Sequence, residues 1–338
     1  MAPERIHLNV ADARELAEGA LRGIGYDAEE ARIVADHVMD AALCGYEYSG
    51  LPKILNLPES QNFKMPRRPV KVTRETEISL AMDGGNNVGM LALFHAAQAT
   101  IRKAAAHGMA LVSVGDAWMS GRSAYYVEMI AKAGLVAIHT AASSRLVAPP
   151  GGARAVLGTN PIAIAIPSSR GPIVLDMGTS AFMMTEVLLR ERLGEPLPDG
   201  VAIGPGGEPT TDAALARRGA LLPFGGYKGF GLALMVQALG LLAGSGLEHA
   251  NDYGYLFIAF RPDLLGPAGA FEQRVTELIE RVKATPRQAG VDEIRIPSER
   301  AFHARERALA DGIEIDRRVF DALVAWRAQA KLGVDEAG

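Results

Sequence analysis

The sequence predicts a mixed α/β fold, and three features of the 338-residue chain support this prediction. Residues 11–43 and 316–332 repeat apolar side chains at helical spacing. A composition of 49% apolar and 22% charged residues is sufficient for a sizeable core. Short apolar runs are typical of buried strands, and they occur at residues 110–114, 135–140, 162–166, 173–176 and 255–260.

The first elements are helical. Ala11–Gly23 predicts a helix that ends at Gly25, and Asp27–Leu43 predicts a second helix whose first residue is a suitable N-cap. Residues 70–83 alternate weakly between apolar and polar side chains, which predicts a pair of strands. An amphipathic helix is expected over residues 89–107.

Loops and helices dominate the C-terminal half of the prediction. The Gly/Pro-rich stretch 194–209 predicts a long loop over a site or an interface. Residues 229–245 are apolar on all sides of a helix, so we expect that helix to be buried. Further helices are predicted at Phe271–Lys283 and Asp316–Leu332.

Charge and cysteine content argue against several classes of protein. The chain has 35 Lys and Arg against 39 Asp and Glu, a net charge of −4, and no basic stripe, which argues against a nucleic-acid partner. The single cysteine, Cys44, excludes an internal disulfide framework, and the histidines lack metal-ligand spacing. No signal peptide is read at the N-terminus, and the most apolar helical run, Phe230–Leu242, is shorter than the roughly 20 residues of a membrane span. We expect a cytoplasmic protein with no metal and no membrane association.

Standard nucleotide and nucleophile motifs are missing, but three glycine-centred clusters are informative. There is no G-x-G-x-x-G, no P-loop and no G-x-S-x-G. The first cluster, Gly158-Thr-Asn-Pro161, is either a plain turn between strands or a rigid turn that offers backbone N–H groups to an anion. The second, Asp176-Met-Gly-Thr-Ser180, allows close approach of a ligand, and Thr179 or Ser180 is also suited to cap a following helix.

The third cluster, Pro223-Phe-Gly-Gly-Tyr-Lys-Gly-Phe-Gly231, contains one lysine at the start of the apolar helix. Lys228 is therefore expected near the positive end of a helix dipole, where it suits a phosphate or a carboxylate. The alternative is a lysine that simply extends into solvent.

Together with other short motifs, these clusters resemble the malate/L-lactate dehydrogenase family that lacks the Rossmann fold. The segment Gly219-Ala-Leu-Leu-Pro-Phe-Gly-Gly226 is most similar to its Δ1-piperideine-2-carboxylate reductase branch. The motifs that carry the resemblance are Gly45-x-x-x-x-Gly50-Leu51, Asn87-x-Gly89, Pro150-Gly-Gly152, Gly158-Thr-Asn-Pro161, Asp176-Met-Gly-Thr-Ser180, Gly207-Glu-Pro-Thr-Thr-Asp212 and Pro223-Phe-Gly-Gly-Tyr-Lys-Gly229.

The resemblance implies an NAD(P)-dependent oxidoreductase, a homodimer that uses NADPH or NADH on a small imino or keto acid. It implies a largely antiparallel central sheet and a helical lobe from both termini. On this basis we expect residues 1–75 and 285–338 to form the helical lobe with dimer contacts. Residues 76–284 are expected to form the cofactor-binding sheet domain, with a smaller inserted lobe around 120–200.

The resemblance also assigns residues to the coenzyme. Arg300 and Arg305, as forked donors, are expected to close over a phosphate. The other expected coenzyme contacts are Ser120, Gly121, Thr159, Asp176, Gly178, Thr179, Ser180, Lys228 and Gly229.

The acid/base side departs from the family pattern. Members of the family carry Ser-His-Gly where this chain has Tyr48-Ser49-Gly50, so Ser49 occupies the place of the usual acid/base histidine. Lys53 replaces an expected arginine, and Met119 replaces a second histidine. A carboxylate that several members carry is matched by Glu186.

The missing histidine favours an imine substrate. Reducing a ketone by hydride leaves an alkoxide that needs a positioned acid, which contributes about 10²–10⁴ in rate, whereas a protonated imine becomes a neutral amine without one. We expect Lys53 to hold the substrate carboxylate and Glu186 to stabilise the iminium or orient a neighbour. Tyr48, Tyr46 or Tyr125 is expected to supply a hydrogen bond, or a proton if the substrate is a ketone. Two alternatives stay open: a 2-hydroxy-acid dehydrogenase that uses a tyrosine or lysine as its acid, and a catalytically silent nucleotide-binding relative.

Overall fold

A computed structural model describes residues 4–246 and 253–335 of the chain. Within these residues the strands are β1 Arg5–Leu8, β2 Lys71–Glu75, β3 Ser79–Val88, β4 Met109–Trp118, β5 Val136–Ala142, β6 Ile162–Ile166, β7 Ile173–Met177, β8 Ala202–Ile203, β9 Ala220–Leu221, β10 Gly254–Phe260 and β11 Ile313–Asp316. The helices are α1 Val10–Ile24, α2 Ala28–Leu43, α3 Pro52–Leu55, α4 Gly89–His107, α5 Ser123–Lys132, α6 Met184–Leu193, α7 Ala213–Arg218, α8 Tyr227–Leu242, α9 Ala270–Lys283, α10 Glu299–Asp311 and α11 Arg317–Asp335.

The central sheet has seven strands in the order β2-β3-β4-β10-β5-β6-β7. Only the β3–β4 pair is parallel, and α4 forms the crossover between these two strands. All other neighbours in this sheet are antiparallel. The predicted mixed α/β class with a largely antiparallel sheet is therefore confirmed, as are the five predicted apolar strands.

Helices α4 and α5 pack on one face of the sheet around a core that includes Val112, Tyr126, Val127 and Phe257. Helix α8 lies on the opposite face, where its backbone approaches β10 so closely that a Cβ at Gly254 would overlap the carbonyl oxygen of Gly240 and lie 3.0 Å from its carbonyl carbon. Among the described elements, the sheet is therefore covered by α4 and α5 on one face and by α8 on the other.

Both ends of the chain contribute to the helical lobe. β1 pairs with β11 in antiparallel register, Arg5 opposite Asp316, and helices α1, α2 and α11 share one core. Helix α1 packs tightly on α11, because a Cβ at Gly19 would lie 2.6 Å from Cγ of Arg327. The Asp27 side chain accepts the Glu30 N–H at 2.8 Å in a capping box at the start of α2, as the predicted N-cap requires.

The predicted boundary at residue 75 falls inside the hairpin formed by β2 and β3, so Lys71–Glu75 belong to the sheet. Residues 136–177 of the predicted inserted lobe likewise contribute β5, β6 and β7 to the sheet. A separate small core combines residues of the predicted lobe, among them Val147, Val187 and Leu197, with later ones such as Val201 and Leu221.

The prediction that the apolar helix is buried on all sides is wrong. Only the face of α8 that carries residues such as Ala233 and Gly240 is buried against β5 and β10. Its outer face is open, and the exposed apolar residues are Leu234 at 43%, Met235 at 56%, Leu241 at 43% and Leu242 at 74%. The helix is thus apolar on two faces for two reasons: one face packs on the sheet, and the other is left exposed by the chain itself.

The alternative that Thr179 or Ser180 caps the next helix is also wrong. Helix α6 begins at Met184 with Met183 as its N-cap residue, and the two hydroxyls have other partners. Thr179 Oγ1 donates to the carbonyl of Thr159 at 3.0 Å, and Ser180 Oγ donates to the carbonyl of Phe182 at 2.7 Å. Both hydroxyls stabilise the turn rather than the helix.

Within the described ranges, no helix is both long and apolar enough to cross a membrane.

Candidate active site

The three glycine-centred clusters meet at one place through their backbones. The Thr179 N–H donates to the Thr159 carbonyl at 2.8 Å, and the Phe224 N–H donates to the Thr179 carbonyl at 3.1 Å. The Gly229 N–H then closes the third turn onto the Phe224 carbonyl at 2.9 Å. Segments that lie 20 to 70 residues apart in sequence therefore form one continuous surface.

Asn160 anchors this surface to the rest of the fold. Its backbone is held at φ +34°, its Oδ1 accepts the Ser143 N–H at 3.1 Å, and its Nδ2 donates to the Ala233 carbonyl at 2.9 Å and to Gln237 Oε1 at 3.0 Å. A left-handed asparagine with all of these bonds ties the first turn to the end of β5 and to α8.

Space at the meeting point is restricted to glycine. A Cβ at Gly229 would overlap the Phe224 carbonyl and lie 2.7 Å from the Phe224 nitrogen and 2.8 Å from the Thr179 oxygen. Lys228, one residue earlier, is exposed in the first turn of α8, where the helix dipole favours anions. Close backbone approach and one ammonium are suited to the phosphates of a nicotinamide coenzyme.

The Ser120–Gly121 turn joins the same surface from the other direction. The Tyr126 hydroxyl donates to the Ser120 carbonyl at 2.5 Å, and one Asp176 oxygen accepts the Ala124 N–H at 2.7 Å at the start of α5. Burial raises the pKa of the Asp176 carboxyl, while the bond from Ala124 and the charge of Arg122 lower it. Asp176 thus connects the β7 turn to α5 in addition to any contact with a ligand.

Tyr48 and Glu186 are neighbours on the acid/base side. Tyr48 and Ser49 lie in a short 3₁₀-helix, Glu47–Ser49, that contacts α6. Burial raises the pKa of the half-buried Tyr48 hydroxyl, and Tyr46, Glu186 and Asp176 raise it further, whereas Arg300 lowers it. Glu186 lies 3.5 Å from Arg190 on the same helix. Tyr48 is therefore a hydrogen-bond donor at neutral pH and a weaker acid than a free tyrosine.

Lys53 lies in α3 and is only 7% exposed. Within residues 4–246 and 253–335 no carboxylate pairs with its ammonium, and burial lowers the pKa of Lys53 to about 8. The charge of Lys53 in turn contributes to lowering the pKa of the buried His37. A buried ammonium without a partner is the kind of group that a ligand carboxylate stabilises.

Arg305 does not fit the predicted role of a phosphate ligand. Its Nη1 and Nη2 atoms donate to Glu128 at 2.6 and 2.7 Å, and Nη2 lies 2.8 Å from Asp40. Asp40 also pairs with Arg122 at 2.6 Å. The guanidinium of Arg305 is therefore neutralised by carboxylates that fasten α10 to α2 and α5.

Arg300 remains accessible beside the acid/base side. Its guanidinium lies 5.1 Å from the ring centroid of Tyr46, and Arg122 lies 5.2 Å from the same ring. Sequence analysis named Tyr46 as a candidate donor but missed Arg122 as a member of the site. The available signal for Arg122 was its position directly after the Ser120–Gly121 turn.

Among the side chains that the structure describes, no three His, Cys, Asp or Glu residues are grouped so that they could hold a metal ion.

The fold and these turns are those of a dehydrogenase. The chain belongs to the malate/L-lactate dehydrogenase family, because the malate/L-lactate dehydrogenase family profile matches residues 8–324. The family and the named relatives are NAD(P)-dependent dehydrogenases and reductases, and the chain is an NAD(P)-dependent oxidoreductase.

Two kinds of relative, which differ in the substrate that their names give, show similar sequence identity to this chain. The chain is 32% identical to L-sulfolactate dehydrogenase of Methanothermobacter thermautotrophicus, over 93% of this chain and 94% of the relative. It is 33% identical to Δ1-pyrroline-2-carboxylate reductase of Ancylobacter novellus, over 95% and 98%. The crystal structure of Δ1-piperideine-2-carboxylate reductase from Pseudomonas syringae superposes with a TM-score of 0.83 at 28% identity, covering 95% of this chain and 99% of that one.

Proposed function

We propose that this protein reduces a small imino acid, such as a cyclic imine with an adjacent carboxylate, with NADPH or NADH as the hydride source. The observation that carries the proposal is the chemistry of the acid/base side. Ser49 stands where the family has histidine, and the neighbouring Tyr48 hydroxyl has a raised pKa. A site with weak acids suits a substrate that already carries its proton.

The residues proposed to hold the coenzyme are those of the three joined turns and the Ser120–Gly121 turn. Thr159 offers a hydroxyl, Lys228 offers a cation, and Gly178 and Gly229 allow close approach of the backbone, while the hydroxyl of Ser180 holds the turn through the Phe182 carbonyl. When bound, the reduced coenzyme supplies the hydride.

The residues proposed to hold the substrate act by charge. Lys53 binds the substrate carboxylate, because its buried ammonium lacks a protein carboxylate within the described part of the chain. Glu186 stabilises the positive charge of the iminium, and Tyr48 donates a hydrogen bond that orients the substrate. Ser49 leaves room beside them where the family has an imidazole.

The second candidate is a 2-hydroxy-acid dehydrogenase, and the observation that favours it is the Lys53 pKa of about 8. An ammonium with this pKa is a competent proton donor near neutral pH. The similarity to L-sulfolactate dehydrogenase supports this candidate as well.

Steady-state kinetics with matched substrates distinguishes the two candidates. With NADPH and NADH tested separately, we expect kcat/KM for Δ1-piperideine-2-carboxylate or Δ1-pyrroline-2-carboxylate to exceed that for pyruvate or oxaloacetate by about 100-fold. Tyr48→Phe should lower the imine rate by no more than about tenfold, the loss of one orienting hydrogen bond, since no proton is taken from Tyr48. Rapid turnover of keto acids with inert imines would reject the proposal.

We further propose that the protein is a cytoplasmic homodimer and that a second copy covers the outer face of α8. A row of apolar residues crosses the sheet on the same face, in register from Leu111 through Ile258, Ile138 and Ile164 to Leu175. An open apolar surface of this extent is typical of an obligate interface.

Sedimentation velocity tests the dimer. Leu242→Asp should shift the protein from dimer to monomer, because it places a charge on the most exposed aliphatic residue of α8. Leu265→Asp is the control, since Leu265 is 89% exposed but lies outside α8. A Leu242→Asp variant that sediments as the wild type does would argue against this interface.

A further inference from the structure

His37 lies in α2 and is completely buried. Its Nε2 accepts the backbone N–H of Arg122 at 2.8 Å, a bond between residues 85 positions apart. This N–H directly follows the Ser120–Gly121 turn, so the imidazole bonds to the C-terminal side of that turn.

The imidazole also restricts the conformation of the turn by packing directly against Gly121. Gly121 has φ +76°, and a Cβ at this position would overlap Nε2 of His37. The ring lies 4.7 Å from that of Tyr125 and 5.2 Å from that of Tyr126. Since the Tyr126 hydroxyl holds the Ser120 carbonyl, two buried rings fix the two ends of the turn.

The hydrogen bond determines the tautomer. An Nε2 atom that accepts a bond carries no proton, so the neutral ring carries its proton on Nδ1. Burial and the charges of Lys53 and Arg122 keep the pKa of His37 well below its ordinary value. Nδ1 is buried and has no partner among the residues described, so within those residues the bond to the turn is the one hydrogen bond of the ring.

We propose that His37 is a positioning residue that sets coenzyme affinity by holding the Ser120–Gly121 turn, although it touches neither coenzyme nor substrate. The inference rests on the proposed function, in which this turn contacts the coenzyme. The same ring lies near Lys53, so it supports the turn at the point where the proposed coenzyme and carboxylate sites adjoin.

Variants of His37 separate an acceptor role from simple packing. Gln reaches the Arg122 N–H with its side-chain oxygen, whereas Leu offers no acceptor and Asn is one methylene too short. We expect His37→Leu and His37→Asn to raise the KM and the dissociation constant of NADPH or NADH about tenfold with kcat changed less than about threefold. His37→Gln should stay within about threefold of wild type.

His139→Leu is the matched control. His139 is equally buried, stacks on Phe257 at 4.1 Å and bonds the Leu256 carbonyl. Its ring lies 5.7 Å from that of Tyr126, but among the described residues it makes no hydrogen bond to the turn. It should lower the melting temperature without changing the coenzyme KM. Equal coenzyme affinity in His37→Asn, His37→Leu and wild type would overturn the inference. A His37→Gln variant that binds the coenzyme as weakly as His37→Asn does would also overturn it. Failure of the wild type to bind either coenzyme would instead overturn the proposed function.

Discussion

The proposed coenzyme side and the proposed acid/base side of the site are built from different parts of the chain. On the coenzyme side, backbone atoms of Thr159, Thr179, Phe224 and Gly229 bond to one another. On the acid/base side, the groups are side chains on a 3₁₀-turn and short helices. A site formed by backbone atoms tolerates few substitutions, because ligand binding depends directly on the backbone conformation. A site formed by side chains can change its chemistry through a single substitution while the backbone conformation stays the same.

The two sides also differ in how fully their polar groups are paired. Asn160 has three hydrogen-bond partners and Asp176 binds a backbone N–H. Lys53, in the part of the chain that the structure describes, has no carboxylate. The coenzyme side is therefore complete before any ligand binds, while the acid/base side carries an electrostatic cost that a ligand removes.

The largest effect is expected from a glycine on the coenzyme side. Gly229→Ala should reduce kcat/KM for the coenzyme at least about 100-fold or prevent folding, because the new Cβ has no room between the backbones of Phe224 and Thr179. Steady-state kinetics and thermal unfolding measure the two outcomes.

Gly231→Ala is its control, since it lies in the same helix and a Cβ there meets nothing within 4 Å. This variant should be active and slightly more stable than wild type. Wild-type kinetics in Gly229→Ala would show that the turn backbone does not limit coenzyme binding.

An intermediate effect is expected on the acid/base side. Lys53→Met should lower kcat/KM for the substrate about 100-fold by removing its carboxylate anchor. The same change should raise the free energy of unfolding at pH 7 by up to roughly 3 kcal/mol, because a lysine whose pKa falls from 10.5 to about 8 disfavours the folded state. Kinetics and denaturant unfolding would reveal this opposition of stability and activity.

Lys103→Met provides the matched comparison. The Lys103 side chain is only 9% exposed, but its Nζ binds Glu75 at 3.0 Å and the Thr76 carbonyl at 2.7 Å. Its loss should destabilise the protein and leave activity unchanged. Destabilisation of both lysine variants to the same extent would contradict the view that Lys53 is unpaired for function.

The smallest expected effect is a pH dependence of the substrate KM that the coenzyme KM does not share. Lys53 is positively charged below its pKa of about 8 and loses this charge as the pH rises. The substrate KM should therefore increase up to about tenfold per pH unit above pH 8. The destabilising contribution of Lys53 is full below pH 8 and fades toward 10.5, so it does not explain a rise in KM. Lys53→Arg should abolish the increase while the coenzyme KM stays flat in both proteins.

Sequence predicted most of the fold and the meeting of the glycine clusters. Their glycine, proline and asparagine residues mark special backbone positions, such as Gly121 and Asn160, that remain visible without a structure. The order of the motifs along the chain then placed these positions in one family. Element boundaries agreed because helix caps such as Asp27 are local signals.

What sequence analysis missed depends on long-range contacts. The apolar pattern of α8 does not reveal that only one face is covered by its own chain. Arg305 has the chemistry of a phosphate ligand, but Asp40 and Glu128, far away in sequence, neutralise it. The role of His37 likewise depends on the backbone of Arg122, which no periodicity connects to α2.

The pairing of β1 with β11 has a consequence for biosynthesis. During translation, α1 and α2 emerge long before α11, which covers the surface around Gly19. The apolar faces of α1 and α2 therefore stay partly exposed until α11 and nearly all other elements have been synthesised. Because the 3₁₀-turn and Lys53 belong to this lobe, a prematurely terminated chain does not complete the proposed substrate site.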